Sequence, residues 1–266
     1  MFLTHKSLKR IKFLCGTWIA LAVLNVLCAV VFSLFDVEVK DFIILALVSL
    51  LFCFLTRKGM PYTEGKAKLV SKGIKLVRRE LRPAEFVRLY EEKKNCPDNA
   101  VIKPDVEVLC ILLLAYDLLG KSDKVLEVLD EMDSASNEKT KKRVKLIRAG
   151  ILYDMSMVEE AEAIYGEVAS SKLDFATKMS LDAVIRGDRA RALGDYVTAE
   201  AYFKQNLDAS SKNTDPCTLL NCHINLGEIY VAKGEGEKAR EHLCWCAENG
   251  GETAVKTKAE EMLKNL

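Results

Sequence analysis

Near the end of this chain one set of residues occurs twice at a fixed distance: Gly187, Gly194, Ala199 and Phe203 return as Gly227, Gly234, Ala239 and Leu243. A recurrence of about 40 residues is the signature of stacked supersecondary units. Such a unit cannot bury its apolar face alone, so the units pile side by side. Stacked helical hairpins leave a concave surface whose ordinary work is holding another molecule. The feature predicts an all-α fold and a binding role, and it names no partner.

The residue types at the repeating positions have a packing reason. Two antiparallel helices approach closely only where one presents a small side chain, so Gly150, Gly187 and Gly227 on first helices admit Tyr165, Phe203 and Leu243 from second helices. Ala161, Ala199 and Ala239 serve the reverse fit. Gly120, Gly194 and Gly234 fall between helices, where a left-handed residue ends the first one. Upstream the pattern loosens. Gly150, Tyr153, Ala161 and Tyr165 keep the scheme with the turn one residue short, Met157 standing where glycine is expected, and Tyr116, Gly120, Val125 and Leu129 form a more degenerate copy.

The order and spacing of Leu226, Gly227, Tyr230, Gly234, Ala239 and Leu243 resemble the tetratricopeptide repeat. The preceding block keeps Gly187, Ala190, Gly194, Tyr196, Ala199 and Phe203, with alanine in place of the mid-helix tyrosine. The resemblance implies about four helical hairpins over 104–251, a superhelical solenoid. It also implies an inner groove lined by Arg148 and Asp154 in one unit, Asp188 and Arg191 in the next, and Asn221, Asn225 and Glu228 in the last. Val144, Ile147, Ile151, Leu181, Val184 and Ile224 lie between them. Arg148, Asp188, Arg191, Asn221, Asn225 and Glu228 are thus the expected protein-binding residues. The lysine and asparagine clamp by which many members grip chaperone C-termini has no counterpart here, so an extended peptide or a helix of another partner protein fits better.

Ahead of the repeats the chain changes character. Phe13 to Phe35 carries no charge and, at about 1.5 Å per residue, is long enough to cross a hydrocarbon core of roughly 30 Å. A second apolar segment, about 40–56, is shorter and spans only with help from tilt and from its flanks. Lys6, Lys9, Arg10 and Lys12 precede the first segment, and Arg57, Lys58, Lys66 and Lys68 follow the second. The link Asp36 to Asp41 is acidic, which places both chain ends on the cytoplasmic side. Residues 1–57 therefore read as a two-pass anchor in the cell membrane. Residues 58–103 follow as a basic juxtamembrane segment and half-repeat. Lys66, Lys68, Lys72, Lys75, Arg78 and Arg79 interleave there with Leu69, Ile74, Val77 and Leu81, a pattern open to contact with anionic lipid or to packing on the first repeat.

Pro83 is placed to start a helix. Ala84 to Glu92 shows Phe86, Leu89 and Tyr90 on one face, and 252–266 places Val255, Ala259, Met262 and Leu263 at helical spacing, as a capping helix would.

A net charge of +1 over 266 residues gives no pull toward nucleic acid. Nine cysteines form no evenly spaced framework, in keeping with a reducing compartment. His5, His223 and His242 make no triad with a serine or cysteine motif, and no phosphate-cradling loop or zinc-protease helix is present, so neither catalysis nor a cofactor is expected. One cluster of soft ligands, Cys217, Cys222 and His223 with His242, Cys244 and Cys246, raises a metal-binding or redox alternative, but core packing is the better account of these cysteines. The reading is a membrane-anchored cytoplasmic scaffold or adaptor. Its nearest alternative is a non-catalytic accessory subunit of an integral membrane complex.

Overall fold

The structure is a computed structural model, and it describes residues 19–21, 23, 48–50, 65–95, 105–138, 140–169, 185–211 and 215–266. The regular elements among the described residues are helical, and no strand occurs among them. By contacts the chain divides into two compact units, Met1–Ser71 with Cys96–Lys103 and Lys72–Asn95 with Pro104–Leu266. In the first unit, residues 19–21, 23, 48–50 and 65–71 are described and are helical. The two expected membrane segments, 13–35 and 40–56, otherwise lie outside the described residues. Among the described residues no helix is long and apolar enough to cross a membrane.

The second unit opens with a π-helix, Ile74–Arg79, followed by α1 (Pro83–Lys94), α2 (Val106–Leu118), α3 (Ser122–Ala135), α4 (Lys141–Asp154) and α5 (Val158–Ala169). After these come α6 (185–192), α7 (Tyr196–Ser211), α8 (Pro216–Ala232), α9 (Gly236–Asn249) and α10 (Ala254–Lys264). Helices adjacent in sequence pack on one another, α2 on α3, α4 on α5, α7 on α8 and α8 on α9. Pro83 holds the first turn of α1, and Phe86 and Tyr90 of that helix are buried. Asp105 caps α2 by accepting from the Glu107 N–H at 3.0 Å.

Four turns in this unit share one hydrogen-bond grammar. A residue with positive φ stands at each: Gly120 at 66°, Ser156 at 60°, Gly194 at 76° and Gly234 at 73°. The residue after it donates its N–H back across the helix end: Lys121 to the Tyr116 carbonyl, Met157 to Leu152, Asp195 to Ala190 and Glu235 to Tyr230, at 2.8–3.0 Å. That is the left-handed closure which satisfies the orphan carbonyls of a helix end. The carbonyl of the same residue then accepts from Val125, Ala161, Ala199 or Ala239 and so starts the second helix.

These bonds correct the register expected for the second hairpin. The glycine position is taken by Ser156, not Met157, and the turn is not short. Counted from Ser156, the residue aligned with Gly187 and Gly227 is Ala149, which is fully buried. Gly150 accordingly does not admit Tyr165; a Cβ there would sit 3.4 Å from Ile185 Cγ1, on the next hairpin. The other two close approaches occur as the spacing predicts. A Cβ on Gly227 would fall 2.7 Å from Leu243 Cδ2, and one on Gly187 would fall 3.2 Å from Phe203 Cζ. Ala161, Ala199 and Ala239 have no exposed surface.

The ends of this unit meet. The π-helix buries Leu76 and Val77 and packs against α1, α2 and α8, so the basic stretch before the repeats spends its apolar face on the helices of its own unit. Arg78 is ion-paired with Asp215 at the start of α8 and reaches Thr218 Oγ1 at 3.4 Å. The Leu81 carbonyl accepts from the Glu252 N–H at 2.9 Å. On the opposite side, a Cβ on Gly120 would lie 3.1 Å from the Ala254 Cβ of α10. Helix α10 covers α9 through Ala259, which is fully buried, with Val255, Met262 and Leu263 half-buried. The entering segment and the last helix thus both pack on the last hairpin. Leu76, Val77 and Leu81 gain burial that way, and burial of apolar surface is what drives the contact.

Candidate functional site

The first helices of the hairpins bring one set of charges together. Arg191 on α6 bridges two neighbours, Nη2 to Asp154 Oδ1 at 2.6 Å and Nη1 to Glu228 Oε2 at 3.1 Å. Lys258 of α10 pairs with the same Glu228. The repeat explains the convergence: Asp117 and Arg191 stand three residues before their turn glycines, and Asp188 and Glu228 stand six before theirs. Equivalent positions on stacked hairpins fall in register on one face.

Two carboxylates in this set, Asp188 and Asp117, face a cation without a hydrogen bond to it among the described residues. Asp188 is 8% exposed and receives no hydrogen bond among the described residues. Burial, with the negative charges of Asp154 and Asp117 set against Arg191, pushes its pKa up to about 8. Asp117, partly buried at the end of α2, is pushed up to about 7 by burial and by Asp154, with Lys258 opposing. Arg191 Nε is itself buried without an acceptor.

Of the residues expected to bind a partner, Asp188, Arg191 and Glu228 are thus gathered in one place, together with Asp154. Arg148 is not among them. Its guanidinium is held on α3 by Asp130 and Asp133, each at 2.6 Å. Asn225 is 3% exposed and donates Nδ2 to the Asn221 carbonyl at 2.9 Å and to Asn221 Oδ1 at 3.0 Å, leaving Asn221 as the exposed member of that pair. Val144 and Ile224 are buried and Ile147 and Ile151 half-buried, while Leu181 and Val184 lie outside the described residues. Asp117 and Lys258 escaped the reading from sequence. Asp117 belongs to the most degenerate repeat, yet its place relative to Gly120 matches that of Arg191 relative to Gly194.

The cysteine and histidine cluster has a different chemistry from metal ligation. Among the described residues no group of three or more His, Cys, Asp or Glu could hold a metal ion. Cys217, Cys222 and Cys246 are buried, and burial first of all pushes each thiol up to about 12, away from the thiolate that metal or redox chemistry needs. The histidines instead join an aromatic column. His223 stacks on Trp245 with centroids 4.1 Å apart, His242 stacks on Tyr230 at 5.6 Å, and the two Nδ1 atoms meet at 2.9 Å. One nitrogen must donate and the other accept, so the two rings cannot both be protonated. Burial and then His242 lower the His223 pKa to about 4. Tyr230 donates to Glu200 at 2.8 Å, and Lys204 and Lys233 bind the same carboxylate at 2.6 Å. Those donors, Lys204 first, bring Glu200 down to about 2.

Fold and site together define an all-helical protein of packed hairpins with a cluster of charges joining its first helices. Comparison with protein-family models, with curated proteins and with solved structures finds no match to this chain.

Proposed function

We propose that this chain is a membrane-anchored cytoplasmic scaffold or adaptor of tetratricopeptide-like design, which binds a partner protein through the inner face of its hairpins. The observation that carries the reading is the convergence of Asp154, Asp188, Arg191 and Glu228 from three successive hairpins on one polar surface. Stability alone does not require the arrangement, since ion pairs with half-exposed members such as Asp154 and Lys258 contribute little. The apolar run 13–35, with lysine and arginine on its cytoplasmic flank, supports the anchor, and confinement to a membrane raises the effective concentration of any partner sharing it. Binding accounts for the arrangement without a reacting group.

The test is a photo-crosslinking amino acid at the exposed position 221 of the full chain in native membranes. Discrete adducts that vanish with Arg191→Ala are expected. A uniform smear, or no adduct, contradicts the reading.

A further inference from the structure

The segment that enters the hairpins carries more positive charge than the fold uses. Residues 72–79 are helical, and the side chains they turn inward are apolar, Leu76 and Val77 being buried. Lys72, Lys75 and Arg79 are exposed. Their spacing of three and then four residues sets them along one face of the helix. Lys68 stands four residues further upstream in the sequence, in the same register.

The partners of each cation decide what is left over. Arg78 is taken by Asp215, and Arg82 reaches Glu80, Glu85 and Glu252. Lys75 meets only Glu80, at 3.2 Å with the lysine side chain 69% exposed, a pair that water weakens. Lys72 and Arg79 make no ion pair among the described residues. A basic stripe with a single acid beside it therefore faces outward, and the packing of the unit leaves it unused.

Position in the chain selects the occupant. Only residues 57–64 separate the second apolar segment, about 40–56, from the helical residues that start at 65. Such a link reaches at most about 28 Å when fully extended, so a bilayer crossed by 40–56 lies close to the stripe. A net charge of +1 over the whole chain, by contrast, offers nucleic acid no general attraction.

We propose that Lys72, Lys75 and Arg79 rest on the anionic headgroups of lipid in the cytoplasmic leaflet. This deepens the reading of an anchored scaffold and rests on the anchor. The contact is electrostatic and superficial, because the apolar side chains of the same helix are spent on α1, α2 and α8 and are not free to insert. It gives the hairpins a second point of attachment to the membrane.

The experiment places the full chain in nanodiscs of phosphatidylcholine, with or without phosphatidylserine, and follows brief acetylation of its lysines by mass spectrometry. Phosphatidylserine should protect Lys72 and Lys75 about fivefold, an effect lost at high salt and reduced in Arg79→Gln. Lys238, already paired with Glu235 at 2.6 Å, is the internal control and should not change. Arg79 is exposed and makes no ion pair among the described residues, so Arg79→Gln should keep helical circular dichroism. Equal acetylation in the two discs, equal protection of Lys238, or protection indifferent to salt or to Arg79→Gln overturns the proposal. So does protection by single-stranded RNA without protection by phosphatidylserine, which assigns the stripe to nucleic acid. Retention in neutral discs after an alkaline wash reports the anchor by itself. A chain retained there but never protected sinks the lipid contact and leaves the anchor standing, whereas a chain that is not retained sinks both.

Discussion

At Gly227 the absent side chain is a structural requirement, because a Cβ would stand 2.7 Å from Leu243 Cδ2 and 2.9 Å from its Cγ. Gly227→Leu should therefore lower stability by about 1–3 kcal/mol or more through overpacking, measured by thermal melting of the full chain in detergent. An unchanged melting temperature would refute the assigned contact. Ser156 presents the opposite case. It holds the same left-handed backbone as Gly194, yet it carries a side chain that disfavours it. Ser156→Gly should stabilise by about 1 kcal/mol, and Gly194→Ala, although nothing lies within 4 Å of it, should destabilise by a similar amount. The pair of melts checks backbone conformation separately from crowding. Glycine announces a left-handed turn in sequence and serine does not, so the sequence points to Met157 and Gly150 where the backbone uses Ser156 and Ala149.

At the level of helices, the carboxylates between first helices and the histidines between the two helices of the last hairpin pull stability in opposite directions with pH. Asp188 and Asp117 have pKa values raised to about 8 and about 7, so the folded state favours their protonated forms. Their contribution is complete below the ordinary carboxylate range and is lost as pH rises through 7 and 8. His223 is lowered to about 4, so the folded state favours the neutral ring, and that contribution falls away as pH drops below the ordinary imidazole value toward 4. Two raised carboxylates outweigh one lowered imidazole, so melting temperature should fall as pH rises from about 5 to 8, less steeply in Asp188→Asn. A monotonic rise from pH 5 to 9 would contradict these assignments. The helices themselves were legible, since small and large residues recur at helical spacing and Pro83 marks a start. The pairing of His223 with His242 was not, because sequence proximity to four cysteines suggests ligands, while stacking on Trp245 and Tyr230 is a property of two helices in contact.

For the whole molecule, the proposed anchor and the meeting of the ends make separable predictions. If residues 13–35 and 40–56 hold the chain with both ends in the cytoplasm, protease added outside intact cells should leave everything beyond Met60 uncut, and digestion there would refute the topology. The meeting of the ends could not be read from the repeats, whose periodicity specifies neighbours along the chain and says nothing of contacts between first and last. It depends on residues outside the pattern, the Arg78 side chain and the backbone bond between Leu81 and Glu252. The most direct check uses Arg78→Lys and a zero-length carbodiimide, which joins an amine to a carboxylate only when the two are in contact. Peptide mapping should find position 78 linked to Asp215, on the last hairpin. Links from position 78 to carboxylates of its own neighbourhood alone, such as Glu80 and Glu85, would show that the ends do not meet.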